Sequence, residues 1–173
     1  MRLAAAIAGV LLIGCSPTVE HPPVVVLPPP TLTLQEAVVA LHNDHRRNSL
    51  ESDDQLADAV QSHADWMAER RRMSHRGRGG SNPGQRISAS GYSWSTYGEN
   101  IAYGQQTPES VMRAWLGSPG HRRNIKSSSY GDIGVGIATA DNGQKYWCVT
   151  FGSKSYNGEE WSGSWATPEW GDE

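Results

Sequence analysis

Apolar and polar positions repeat along this chain with two different periods. Leu34, Val38, Leu41 and His45 recur at helical spacing and share one face. Thr33-Leu34-Gln35-Glu36 sits in front of them as a capping box, which predicts a first helix running to about Arg47. Ser52-Asp53-Asp54-Gln55 has the same form. After it, Leu56, Ala59, Val60, His63, Ala64 and Met67 line one face of a second helix, ending near Arg72. Between Ser74 and Tyr97 the chain is rich in Gly and Ser and reads mostly as loop, with one helical turn near residues 85–88. Residues 99–103 predict a short strand. Thr107-Pro108-Glu109 gives an N-cap, a first-turn proline and an early acid. A third helix follows, with Val111, Met112 and Trp115 inward.

From Asp132 the period falls to two. Ile133, Val135 and Ile137 face one way, and Gly134 and Gly136 the other. The glycine side lets another backbone or a ligand come close. Asp141-Asn142-Gly143 is a hairpin turn signal, and residues 145–151 return as a strand with Trp147, Val149 and Phe151 on one face. Helices first and an antiparallel sheet later give an α+β fold.

The chain's ends follow other rules. Residues 3–13 form an apolar run too short to span a bilayer, behind Arg2, in the layout of a secretory signal. Leu12-Ile13-Gly14-Cys15 resembles the lipobox of bacterial lipoproteins, in which the cysteine carries the lipid. The expected organisation is a signal peptide over 1–14, a lipidated Cys15 with a tether over 15–31, a domain over 32–152 and a tail over 153–173. The tether holds six of the ten prolines. An extended chain of that kind spans about 45 Å at ~3.1 Å per residue. The expected partner is therefore a membrane, held through an N-terminal lipid, and the expected location is extracytoplasmic. Ser16 leaves outer-membrane sorting open.

Composition narrows the choice of function. The net charge is −3, but residues 31–152 hold 13 Lys and Arg against 12 Asp and Glu, so the acidity sits in the tail. A near-neutral domain argues against generic nucleic-acid binding. With Cys15 lipidated, Cys148 stands alone, so packing and not a disulfide must hold the domain. The tail places Trp161, Trp165 and Trp170 among Gly, Ser and Glu. It is expected either to dock in part on the domain or to offer an acidic, aromatic motif to a partner.

Several motifs stand in a telling order. They are Leu41-His42-Asn43-Asp44-His45-Arg46, Ser74-His75, Gly98-Glu99-Asn100-Ile101 and Ser118-Pro119-Gly120-His121-Arg122-Arg123-Asn124-Ile125. Ile133-Gly134-Val135-Gly136, Tyr146-Trp147 and Phe151-Gly152 follow. Together they resemble the CAP superfamily of cysteine-rich secretory, antigen 5 and pathogenesis-related proteins, also called the SCP domain. The likeness is to its bacterial branch, through Ser-Pro-Gly-His and Gln85-Arg86-Ile87. The resemblance implies a three-layer α-β-α sandwich with a central antiparallel sheet. It also implies a surface cleft of two histidines and up to two acids. By motif these fall on His75, Glu99 and His121, while the remaining acid position is Ser118.

Two imidazoles and a carboxylate can shuttle protons or hold a divalent metal such as Zn²⁺, with His75 and His121 as candidate ligands. The sequence has no short-spaced zinc signature such as H-E-x-x-H. Arg70, Arg71, Arg72, Arg76 and Arg78 flank His75, and Arg122, Arg123 and Lys126 follow His121. Such a rim draws anions: a phospholipid headgroup, an anionic wall polymer or a peptide carboxylate. Arg76, Arg122, Arg123 and Asn100 are the candidate ligand contacts. The alternative is that these arginines are solvated or paired with Asp65 or Glu69. His42 is expected to pack the first helix, and His45 and His63 to be core or boundary residues. Cys148, inside a strand, is a poor nucleophile. Gly91-Tyr92-Ser93-Trp94-Ser95 lacks the last glycine of a serine-hydrolase elbow. The expected function is a ligand-binding module at the cell envelope. The alternative is a hydrolase of peptide or wall material using the same residues.

Overall fold

The computed structural model describes residues 31–155. Cys15, its leader, the tether and the tail tryptophans lie outside the described residues. The elements run α1 (Leu34–Asp44), β1 (Glu51–Ser52), α2 (Asp54–Arg70), α3 (Pro83–Ala89), β2 (Trp94–Tyr103), α4 (Pro108–Gly117), α5 (Pro119–Lys126), β3 (Asp132–Thr139) and β4 (Lys145–Lys154).

Local chemistry explains where most elements start and stop. Thr33 Oγ1 accepts from Glu36 N–H at 3.2 Å, and the Glu36 carboxylate accepts from Thr33 N–H at 2.7 Å. The first helix stops at Asp44, earlier than its pattern suggests. Arg46 leaves the helix to place its guanidinium on the carbonyls of Ile125 (2.6 Å) and Tyr130 (2.9 Å). Asp53, not Ser52, caps α2, because Ser52 belongs to β1. The helix ends at Arg70, and Arg71 turns out of it at a left-handed φ of 49°. The expected loop between Ser74 and Tyr97 is more ordered than its composition suggests. It holds a 3-10 turn at Arg78–Gly80 and the whole of α3, and β2 begins at Trp94. Asn82 and Gln85 form a reciprocal capping box around Pro83, which starts α3. A separate helix, α5, follows α4 directly and had no apolar stripe to announce it: of its eight residues only Ile125 is buried.

The sheet order is β1-β3-β4-β2. The three long strands pair antiparallel as expected. The short β1 pairs parallel with β3, Glu51 opposite Asp132 and Ser52 opposite Ile133, so the sheet is mixed rather than purely antiparallel. Helices cover both faces, which makes the three-layer sandwich. On one face Val38, Met112, Trp115 and Ile125 from α1, α4 and α5 meet Ile133, Trp147, Val149 and Phe151. On the other, Val60, Ala64 and Met67 of α2 meet Ile101, Tyr146 and Cys148, with Ile87 of α3 packed on Leu56 and Tyr92.

The glycine face of β3 receives the backbone of α2. A Cβ on Gly134 would stand 2.4 Å from the Leu56 carbonyl carbon, and one on Gly136 2.4 Å from that of Val60. His42 is fully buried between the rings of Trp115 and Phe151, with centroids 5.7 and 5.4 Å away. Its Nδ1–H donates to Val38 O at 2.8 Å, and burial pushes its pKa down to about 4. The next residue, Asn43, holds the backbone of Leu50 from both sides, at 3.2 and 2.8 Å. The expected packing role of this motif is what the fold uses.

Strand β2 lies at one margin of the sheet. Its outward carbonyls accept side-chain donors: Tyr97 O from Tyr130 (3.3 Å), Glu99 O from Asn124 (3.3 Å) and Ile101 O from the Trp115 indole (3.1 Å). At the other margin the Gln61 amide bonds both the carbonyl (3.0 Å) and the N–H (3.1 Å) of Ile137.

Candidate functional site

Gly98-Glu99-Asn100 sits within β2, and alternation sends its two polar side chains to opposite faces. Glu99 points toward the α2 and α3 layer and is 1% exposed. Its Oε1 accepts from His75 Nδ1 at 2.7 Å. Its Oε2 accepts from Arg86 Nη2 at 2.5 Å and from the Cys148 thiol at 3.5 Å. Burial pushes this carboxyl up, but the His75 hydrogen bond and the Arg86 charge outweigh it. The net direction is below the ordinary value, so Glu99 is ionised at neutral pH.

Since the carboxylate accepts, the Nδ1 of His75 carries the proton. This fixes the tautomer and the plane of a ring that is 26% exposed. Arg86 comes from the second turn of α3. Besides Glu99 it holds the carbonyls of His75 and Ser81, each at 3.0 Å. One guanidinium thus neutralises the buried acid and fastens the loop that carries the histidine. In the sequence Arg86 enters only through a family likeness, with no role of its own. The signal for it was the Asn82–Gln85 capping box, which extends the single turn expected over 85–88 into a helix starting at Pro83 and so fixes Arg86.

His63 adjoins this group from α2. Its Nε2–H donates to Ser74 O at 2.8 Å, and its ring stacks on Trp66 with centroids 5.7 Å apart. Burial drives its pKa down to about 4, against the opposing pull of Glu99. The residue is buried, as its helix position suggested, and lies beside the site as well.

Asn100 points the other way. It is fully buried, and its Nδ2 donates to His121 O (3.1 Å) while its Oδ1 accepts from Asn124 (2.9 Å). A candidate ligand contact is therefore a tie between β2 and α5. The structure joins His75 and Glu99 directly. It brings His121, on α5 in the opposite helical layer, to the adjacent Asn100 through its main-chain carbonyl. Ser118 ends α4 and begins α5. The rim arginines Arg76, Arg122 and Arg123 are exposed. Arg76 reaches Gly80 O at 3.5 Å and Arg122 reaches Leu116 O at 3.1 Å. Arg78 pairs with Glu69 at 3.3 Å, and Arg71 with Asp141, so part of the cationic stretch is neutralised.

A zinc ion fits this arrangement poorly. Among the described residues no three His, Cys, Asp or Glu side chains are grouped to hold a metal. Both oxygens of Glu99 are committed, one of them to a guanidinium, so at most two imidazoles are left as donors, short of the three or four protein ligands that zinc takes. Cys148 is no nucleophile either: burial, then the charge of Glu99, raises its thiol well above the ordinary value.

The profile of the CAP family, described as the cysteine-rich secretory protein family, matches residues 39–151. The chain belongs to the CAP family. A stretch of 106 residues is 35% identical to YkwD of Bacillus subtilis, covering 59% of this chain and 41% of that protein. Another of 93 residues is 30% identical to the B. subtilis membrane protein YlbC, covering 54% and 27%. The chain spans less than half the length of either relative. The CAP fold is likewise that of an outer surface protein from Borrelia burgdorferi, with a TM-score of 0.63 at 25% identity over 72% of this chain and 97% of that one. An extracellular SCP-domain protein from Bacillus anthracis gives 0.63 at 26% identity, over 70% and 40%. This is a CAP domain of the bacterial type. No helix among the described residues is long and apolar enough to cross a membrane.

Proposed function

We propose that this CAP domain works outside the cytoplasm, held to a membrane by a lipid on Cys15, as a binding module for an anionic ligand. The location is supported by the outer-surface and extracellular relatives and by the lipobox-like Leu12-Ile13-Gly14-Cys15. The ligand class is supported by the exposed Arg76, Arg122 and Arg123, which flank His75 and His121 in sequence.

One observation carries binding over hydrolysis. Arg86 lies 2.5 Å from Glu99 inside the protein, and His75 takes the other oxygen. A carboxylate committed in this way orients the His75 imidazole and does not itself act as the base or a metal ligand, so hydrolysis would have to run through the His75 ring, whereas binding asks nothing more of the pair. The test is co-sedimentation of the purified chain with phosphatidylglycerol vesicles and with phosphatidylcholine vesicles. Arg122→Ala/Arg123→Ala is expected to cut binding to the anionic vesicles about tenfold, and about 0.5 M salt to do likewise. Binding indifferent to both refutes an anionic ligand. Turnover of peptide or wall material that vanishes in Glu99→Gln reverses the order of the two readings. Acylation of the exported chain that persists in Cys15→Ser removes the anchor.

A further inference from the structure

A groove opens between α2 and α3, with a volume of about 370 Å³. Its direction is fixed at both ends. Gly91, just past α3, lies against Gln55 in the first turn of α2, where a Cβ would stand 2.9 Å from the Gln55 amide nitrogen. At the other end Arg78 pairs with Glu69 in the last turn of α2. Ala59, Ala89 and Ser90 therefore line the first end, and Trp66 and Arg78 the second. Trp66 is half-buried and stacks on His63, with its indole bordering the groove.

The chain leaves the described domain beside the first end. Ser155 N–H donates to Ser93 O at 3.1 Å, and Ser93 follows Ser90 by three residues. The exit therefore lies within ~10 Å of the mouth of the groove. From there to Trp66 the groove follows two turns of α2, about 12 Å. Residues 156–161 in extended form cover about 20 Å, which brings Trp161 level with Trp66. Charge agrees with this course. Residues 156–173 carry Glu159, Glu160, Glu169, Asp172 and Glu173 and no Lys or Arg. Past the second end, α2 closes on the exposed Arg70, and Arg72 follows it, also exposed. An indole in the groove has apolar faces to lay on Trp66, Ala59 and Ala89.

We propose that this groove seats the chain's own C-terminal segment, with the Trp161 indole against Trp66. In that register the uncharged Tyr156-Asn157-Gly158 passes Asp58, which lines the first end, and the acids after Trp161 run toward Arg70 and Arg72. Because the segment is tethered, its effective concentration at the groove is on the order of millimolar, and a weak contact suffices to hold it. The seat uses neither Arg122 nor Arg123 and is independent of the anionic ligand proposed above.

The test is NMR of the full chain. The expected result is a set of NOEs from the Trp161 indole to the methyl groups of Ala59 and Ala89. Trp161→Ala should also shift the amide signals of Ser62, Trp66 and Ala89. That residue lies outside the described residues, so the substitution leaves the packing of the domain untouched. Ala89→Glu is the converse change. Ala89 ends α3 and is exposed, so the helix persists, while the added length and charge should abolish the NOEs. Groove amides that ignore Trp161→Ala overturn the proposal, and so do NOEs that survive Ala89→Glu. NOEs that fade on about tenfold dilution give the groove to the tail of a second copy, and overturn it as well. None of these outcomes bears on vesicle binding through Arg122 and Arg123.

Discussion

On one face of the sheet, α1, α4 and α5 press Trp115, Ile125 and Val38 against Trp147, Val149 and Phe151, and the separation is filled by large side chains. On the other face, α2 lies against Gly134 and Gly136, so backbone meets backbone with nothing between. Where α2 gives way to α3, this second face holds a carboxylate, a guanidinium and the imidazoles of His63 and His75. Each face also buries one histidine at a pKa of about 4, His42 among aromatic rings and His63 beside charge. The difference separates two tasks. The face with bulky side chains is stabilised by apolar area. The close-packed face fixes a helix so firmly in height that a charged cluster at its end keeps its geometry.

Four changes break or sharpen that contrast. The largest effect is expected on the apolar face. Trp115→Ala removes a fully buried ring and the donor to Ile101 O, and should cost about 5 kcal/mol in urea unfolding. A cost below about 2 kcal/mol would mean that face is not where the stability lies. Next comes Arg86→Ala, which leaves the Glu99 carboxylate buried without its counter-charge and should cost about 4 kcal/mol. Replacing both residues by methionine should recover part of that loss. A double variant as unstable as the sum of its singles would deny the coupling.

The third effect is set by pH. The folded pKa of about 4 for His42 and for His63 lies below the ordinary 6.5. Between those values the unfolded chain binds more protons. The stability these rings contribute is complete above pH 6.5 and is lost as pH falls toward 4, by roughly 3 kcal/mol for each histidine. Glu99, also below its ordinary value, acts in the same sense at still lower pH. His42→Phe should flatten the curve by about 1.4 kcal/mol per pH unit in that window, and an unchanged slope would show that His42 titrates normally. The smallest effect is expected at Arg71 and Asp141, an exposed pair on the polar side. Asp141→Ala should leave the urea midpoint within error, since water already screens the pair.

How far the sequence announced all this depends on the range of each interaction. The alternation of Gly134 and Gly136 with Ile133, Val135 and Ile137 was enough to predict a close approach, because strand period and side-chain size are local facts. That a helix backbone makes the approach was not local. The helices with apolar stripes were legible, whereas α5, with eight residues and one buried, was not. Glu99 and His75 were found only through a family likeness, since 24 residues separate them and no spacing rule joins them. Arg86 escaped because its role needs the whole of α3, of which only the turn over 85–88 shows through the Gly and Ser of that stretch. His121 was named by the same likeness, but its main-chain contact with Asn100 leaves no mark on residue type.

The two margins of the sheet carry a last consequence. Tyr130, Asn124 and Trp115 occupy the outward carbonyls of β2, and Gln61 occupies both backbone groups of Ile137 on β3. An unsatisfied strand margin is a template on which a second chain can polymerise. Here that template is blocked by side chains that also hold the helical layers in place. Along these stretches another copy or an extended peptide finds the outward carbonyls already taken.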